Sequence, residues 1–217
     1  MYDTVESCSA RRHGMLEVCE YCKYMRDIDV RGALRERLSL EHASEGDQTR
    51  IVEELGIHGE VRVDVAVLNG MMIGYELKSD RDTLKRLPKQ VEWYSKVLDR
   101  AYIVVAENHL NEALEIIPDW WGCTVATSEK NGIVCLHDER EGRQNLGVDG
   151  KTLALLLWRS EALIALEERG LDRGYRSKTR GVMAQRLAEA LPLKELRDLV
   201  RETMKFREGW RSTPMIA

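Results

Sequence analysis

A mixed α/β fold, with a central β-sheet flanked by helices and an α-helical C-terminal region, is predicted by three features of the sequence. Residues 61–78 alternate with the two-residue period of strands and turn back at Asn69-Gly70. Ala101 to Ala106 is an unbroken apolar run, as a strand covered on both faces requires. From Thr152 onward apolar residues recur at helical steps, so the chain ends in helices that bury one face.

The 217 residues give room for one full domain and a smaller unit. The divisions expected are an N-terminal extension at 1–26, an α/β core at 27–140 and a helical region at 150–211 that is either a cap or a DNA-binding unit. A net charge of −4 argues against general coating of nucleic acid, so any DNA contact needs a local basic patch. No apolar run reaches the roughly 18 residues of a membrane span, and no signal-peptide pattern opens the chain. A cytoplasmic protein with no membrane partner is therefore expected. Five cysteines, an odd number, read as reduced thiols rather than as a disulfide framework.

In chain order, Cys8, His13, Cys19 and Cys22 include one Cys-x-x-Cys pair and could hold zinc, against the reading that they are incidental to an extension. Asp29 is the expected N-cap of a helix from Val30 to about His42, with Val30, Leu34 and Leu38 along one side. Gln48 to Leu55 reads as a second helical piece burying Ile51, Val52 and Leu55, with Glu54 beside that sector and Glu53 near the opposite pole. Val61, Val63, Val65 and Val67 should then face one way, and Arg62, Asp64 and Ala66 the other. Across the turn, Ile73, Tyr75 and Leu77 should join the valines, leaving Gly74, Glu76 and Lys78 opposite. A two-residue turn at Asn69-Gly70 would set Asp64 against Tyr75 and bury its charge. The loop is therefore expected to be odd in length, such as Asn69 to Met71, or a bulge to lie between Val65 and Tyr75.

After Lys78, Ser79 or Asp80 should cap a helix carrying Leu84, Leu87, Val91, Tyr94 and Leu98, with a kink or fresh first turn at Pro88. Asn111 to Ile117 reads as helix, and Cys123 to Ala126 and Gly132 to Leu136 as strands. Trp120 and Trp121 are expected in the core, and Cys123 and Cys135 as buried thiols. Glu139 to Gly150 reads as a charged linker. Leu153, Leu156, Leu157, Ile164 and Leu166 fall on one helix, followed by helices at Val182 to Ala190 and Leu193 to Lys205. The basic loop before them, with Arg176, Lys178 and Arg180, is the expected contact for a DNA backbone. The break at Leu191-Pro192 admits a helix-turn-helix or a helical cap.

Asp64, Glu76 and Lys78 on one strand face need a physical reason. Two adjacent carboxylates repel, and a hard cation between them removes the conflict. Mg2+ suits such a pair, because it takes one or two carboxylates and leaves water or phosphate to complete its shell. Lys78 could then assist the attacking water or hold developing charge. Arg62, on the same face, could pair with a carboxylate or grip a phosphate.

Asp64 followed by Glu76-Leu77-Lys78 across a hairpin resembles the signature of the PD-(D/E)XK phosphodiesterases, the restriction-endonuclease-like nucleases. Gln90 and Tyr94, four apart on the following helix, are similar to the QxxxY element of the RecB-like branch. The stretch also resembles an uncharacterised group of bacterial and phage proteins. The resemblance implies a restriction-endonuclease-like sheet and a nuclease acting on DNA. It implies catalytic roles for Asp64, Glu76, Lys78 and Gln90. Mg2+, replaceable by Mn2+, would be held by Asp64, Glu76 and the Leu77 carbonyl, with Glu54 as a further ligand from the helix before the hairpin. Tyr94 and Arg62 would face the DNA, although core packing also accounts for Tyr94. The competing expectation is a DNA-binding or assembly module that keeps the fold without turnover. A homodimer is compatible with either.

Overall fold

The computed structural model describes residues 24–129 and 131–208, so the candidate zinc residues Cys8, His13, Cys19 and Cys22 lie outside the described residues. Helix α1 (Asp27–Glu41) buries Val30, Leu34 and Leu38 as their spacing predicts. It begins ahead of the expected cap: Arg26 is the N-cap residue, and Asp29 caps from inside the first turn, its Oδ2 accepting the Arg26 N–H at 2.9 Å.

The segment expected as a second helix is instead strand β1 (Arg50–Ile57). Its apolar spacing fits a helix, yet Glu54 takes a φ of 58°, which reverses the side-chain alternation and brings Val52 and Leu55 to the same core cluster. Pairing with β2 (Val61–Leu68), from Arg50↔Leu68 to Ile57↔Val61, supplies long-range hydrogen bonds that a short local pattern does not announce.

Strand β3 (Met72–Lys78) pairs with β2 from Leu68↔Met72 to Val65↔Tyr75, so Asn69, Gly70 and Met71 form the three-residue loop that facial parity requires. The Asn69 Oδ1 accepts the Met71 N–H at 3.0 Å. The expected valine stripe, however, divides. Val65 and Val67 pack toward α1, whereas Val63 and Val61 pack into the cluster on the opposite face. Alternation therefore reverses at Asp64, beside the reversal at Glu54.

A single 3-10 turn (Leu84–Arg86) precedes α2 (Leu87–Tyr94), which starts afresh with Pro88 in its first turn. Neither Ser79 nor Asp80 caps it. The Ser79 N–H and Oγ both donate to Asp82 Oδ2, at 2.8 and 2.5 Å, and close a separate turn. Strands β4 (Arg100–Ala106) and β5 (Gly122–Ser128), joined through α3 (Leu110–Ile116), continue the sheet in parallel, and β6 (Val134–Arg140) closes it antiparallel. Among the described residues the strands form one six-stranded mixed sheet in sequence order.

Helix α1 covers one face. The other carries α2, α3 and four C-terminal helices, α4 (Gly150–Ala154), α5 (Arg159–Glu167), α6 (Arg180–Ala190) and α7 (Leu193–Lys205). The single helix expected over Leu153 to Leu166 is two, broken before Trp158, and Ile164 faces solvent. Met183, Leu187, Leu196 and Val200 share a core cluster with Leu87, Ile103 and Trp121, so the C-terminal helices are packed as a cap on the sheet. The connection after β6 is pinned: Asn145 Nδ2 donates to the Ser95 and Leu98 carbonyls, each at 2.8 Å. Trp121 is fully buried and stacks on Tyr94 with ring centroids 5.6 Å apart. Cys123 is buried as expected, but Cys135 is only half-buried because β6 is the sheet edge.

Gly74 shows how tightly the α2 side of the sheet is packed. A Cβ there would lie 2.4 Å from Leu98 Cδ1 and 3.0 Å from Val63 Cγ1. Gly74→Ala is expected to destabilise by about 1–3 kcal/mol, the usual cost of overpacking a filled core. An unchanged urea midpoint would show that Leu98 yields freely.

Candidate active site

Glu76 lies on β3 facing α2 and is 1% exposed. Its carboxylate is enclosed by donors. Oε1 accepts from Lys78 Nζ and, at 2.5 Å, from Gln90 Nε2; Oε2 accepts from Tyr94 Oη at 2.6 Å. Gln90 and Tyr94 meet Glu76 together because residues four apart share one face of α2. Tyr94 Oη also lies 2.7 Å from the Arg62 carbonyl oxygen, so its one proton serves two acceptors. Burial, followed by the Glu76 charge, raises the Tyr94 hydroxyl far above its ordinary pKa and keeps it a donor. Lys78 is also buried, 3% exposed, and pairs with Glu76.

Asp64 enters from β2 where the ladder to β3 stops. With no strand pairing beyond Val65↔Tyr75, the Leu77 N–H is satisfied by Asp64 Oδ2 at 2.8 Å. On the α1 side, Arg31 Nη1 donates to the Asp64 carbonyl at 3.1 Å, and Arg31 Nη2 lies 3.5 Å from both Asp64 Oδ1 and Glu54 Oε1. Burial, and next the negative charge of Glu76, push the Asp64 carboxyl up to about 7; the Leu77 N–H, Arg31 and Lys78 oppose the rise. The two acids therefore sense each other, as hairpin parity predicts.

Asp64, Glu76, Leu77, Lys78 and Gln90 line a cleft of about 520 Å3, with Arg62, Arg86 and Lys89 also on its wall. Arg62 is ion-paired with Glu54, and Lys89 with Glu60 at 2.8 Å. Arg86 and its neighbour Lys85 are exposed and make no ion pair among the described residues. Gln90 Oε1 is a buried acceptor with no protein partner among the described residues, so the cleft wall offers an unused oxygen.

Sequence pattern alone locates the core of this arrangement and misses part of its frame. Glu54 comes from β1 rather than from a helix, and its nearest cations are Arg62 and Arg31. Among the described residues no group of three or more His, Cys, Asp or Glu is placed to hold an ion, so Glu54 does not complete a three-carboxylate set with Asp64 and Glu76. Arg31 escapes a sequence reading, because its contact to Asp64 crosses 33 residues and nothing local marks it. Lys85, Arg86 and Lys89 escape it too, although their clustering just after Lys78 is a legible signal. Of the basic loop, Arg176 is held by Asp172 at 2.8 Å and Glu167 at 3.2 Å, Lys178 is exposed, and Arg180 lines a second pocket beside the cleft.

Comparison with known proteins places the whole described arrangement in one family. The family profile described as Bacteriophage P4 protein cII matches residues 22–215, nearly the full chain. The chain belongs to the bacteriophage P4 protein cII family. Protein cII of Enterobacteria phage P4 is itself 26% identical over 183 residues, spanning 84% of this chain and 68% of the phage protein. Among solved structures, a protein of unknown function from Silicibacter pomeroyi is 16% identical with a TM-score of 0.42, covering 70% of this chain and 97% of that one. SfsA of Pyrococcus furiosus, solved in complex with Ca2+, is 16% identical with a TM-score of 0.32, covering 52% of this chain and 64% of that one. No described helix of this cII-family chain is long and apolar enough to cross a membrane.

Proposed function

We propose that this cII-family protein is a metal-dependent phosphodiesterase of the PD-(D/E)XK type that cleaves DNA. The observation that carries the reading is the meeting of Asp64, Glu76 and Lys78 in one open cleft, where burial and the charge of Glu76 raise the Asp64 carboxyl. A divalent cation fits this donor set. Asp64 and Glu76 supply two hard oxygens in mutual repulsion, and Gln90 Oε1 is an unpartnered acceptor for an ordered water. Mg2+ accepts one or two carboxylates with water and phosphate, so a third acid is not required.

Asp64 and Glu76, with the Leu77 carbonyl, would hold Mg2+ or Mn2+. When bound, the ion supplies Lewis-acid stabilisation of the phosphate and a more acidic water. The Leu77 N–H and Arg31 Nη2 hold the Asp64 carboxylate, Arg31 Nη1 holds its backbone carbonyl, and Gln90 and Tyr94 fix the carboxylate of Glu76. The Lys78 ammonium lies at the cleft wall, where it would stabilise negative charge gathering on the phosphate oxygens. Arg86 and Lys85 would hold neighbouring backbone phosphates.

The competing reading is a DNA-binding or assembly module without turnover. One observation favours it: both Glu76 oxygens already accept from protein donors. Incubating purified protein with linear duplex, circular duplex and single-stranded DNA in Mg2+, Mn2+ or EDTA separates the two. Cleavage that requires the metal is the expected result, and binding without cleavage in all three conditions would favour the module. Degradation of linear but not circular DNA would further identify an exonuclease.

A further inference from the structure

The cleft does not end at the carboxylates. A second pocket, of about 370 Å3, opens between the β1–β2 turn and the C-terminal helices, and it shares Gly56 and Gly59 with the first. A Cβ at either glycine would meet nothing within 4 Å, so nothing crowds the turn that borders both hollows. Gly56 lies only two residues along β1 from Glu54, about 7 Å of strand, and Glu54 and Asp64 flank the same Arg31.

Four side chains give the second pocket its chemistry. Trp158, at the break between α4 and α5, is 44% exposed, unlike the buried Trp121. The Arg207 guanidinium lies 4.4 Å from its ring centroid, and Arg207 is itself fixed by Glu161 at 2.6 Å and the Leu156 carbonyl at 2.9 Å. An indole braced in this way keeps its orientation, which a stacking platform needs. Arg180, in the first turn of α6, is exposed and makes no hydrogen bond or ion pair among the described residues. His58, in the β1–β2 turn, turns its Nε2 to the Thr152 carbonyl at 2.9 Å. Burial holds His58 below its ordinary pKa, so Arg180 is the pocket's unpaired cation among the described residues.

We propose that this pocket is a nucleotide subsite in which the base of an unpaired nucleotide stacks on Trp158 and its phosphate meets Arg180, beside the scissile phosphate. A fixed, part-exposed indole beside an available cation suits a single strand, whose bases are open to aromatic stacking. A paired duplex keeps its base faces inside the stack and offers Trp158 only its backbone. The inference rests on the phosphodiesterase reading and narrows its substrate to a single-stranded or frayed end passing over Gly56 and Gly59.

The test is binding of fluorescent oligo-dT and of a blunt duplex in EDTA, followed by anisotropy, so that no turnover is needed. Trp158→Ala should weaken oligo-dT binding between about 5- and 150-fold, the worth of one base–aromatic stack, and leave duplex binding within about twofold. Trp158→Phe, which keeps an aromatic face, should recover most of the loss. Arg180→Glu, at an exposed first-turn position that leaves the fold intact, should weaken the same binding and lower its salt slope by about 0.7, the share of one phosphate contact on a single strand. Wild-type oligo-dT affinity in both Trp158→Ala and Arg180→Glu would overturn the subsite, as would no oligo-dT binding by the wild type. Metal-dependent cleavage alongside either result would leave the phosphodiesterase reading standing. Trp158-dependent binding without cleavage would do the reverse.

Discussion

Lys78→Ala is expected to destabilise the protein by about 3–5 kcal/mol, the usual cost of removing one partner of a buried ion pair. Lys78 and Glu76 are 3% and 1% exposed and bonded to each other. The alanine variant would leave Glu76 charged in the interior with, among the described residues, Gln90 and Tyr94 as its donors. Burial thus gives Lys78 a part in folding beside the chemical role that the strand pattern suggests. Loss of cleavage in Lys78→Ala would therefore not by itself separate catalysis from stability. The double variant Lys78→Met with Glu76→Gln should regain most of the lost stability, because the new amide can still accept from Tyr94 and can donate to Gln90 Oε1 once the Gln90 amide turns over to present that oxygen in place of Nε2. Urea unfolding of the three proteins measures this. A single-variant loss below about 1 kcal/mol, the range of exposed pairs, would mean that water reaches the pair.

Asp64→Asn is expected to raise the stability of the metal-free protein near neutral pH and to abolish its stabilisation by Mg2+. In the fold Asp64 holds its proton to about pH 7, against 3.8 ordinarily. Between these values the folded state binds more protons than the unfolded chain, so stability falls as pH rises from about 4 to 7. Each pH unit in that interval costs at most about 1.4 kcal/mol, so the whole decline amounts to a few kcal/mol. Asp138 and Asp149, held below the ordinary carboxyl range by hydrogen bonds from Arg37 and Thr152 respectively, lose their contribution only below about pH 4, whereas His58, held below its ordinary value by burial, opposes the decline by adding stability as pH rises toward about 6.5. The variant's amide keeps an acceptor for the Leu77 N–H and carries no charge, so the decline should vanish and leave the rise that His58 contributes. In the wild type, Mg2+ at about 100 times its dissociation constant should restore about 2.7 kcal/mol, increasingly so as pH rises and Asp64 ionises. Thermal melts at several pH values, with and without Mg2+, read both effects. An equal Mg2+ shift in wild type and variant would place the ion elsewhere.

What is legible in the chain, and what is not, follows the range of the interactions. The Asn69 to Met71 loop can be derived because burying Asp64 would cost far more than any preference among turns. The helix α2 with its fresh start at Pro88 can be read from one residue's missing N–H. Strand β1 cannot. Ile51, Val52 and Leu55 fit a helix by spacing, and only the positive φ at Glu54 and pairing with β2 turn that spacing into a strand. The divided valine stripe has the same origin, since a reversal at Asp64 leaves no mark in an alternating sequence. Asp64, Glu76, Lys78 and Gln90 can be found because strand and helix periods are local. Arg31, Trp158 and the pocket over Gly56 and Gly59 depend on packing between elements far apart in sequence.

Whether Asp64 and Glu76 are the metal-holding acids of a phosphodiesterase is tested most directly by cleavage of end-labelled single-stranded DNA. Wild type and Asp64→Asn are compared in Mg2+ and in EDTA, with folding of both verified by their melts. The expected result is cleavage by the wild type in Mg2+ alone and none by the folded Asp64→Asn protein in either condition. Cleavage by Asp64→Asn at the wild-type rate would contradict the assignment.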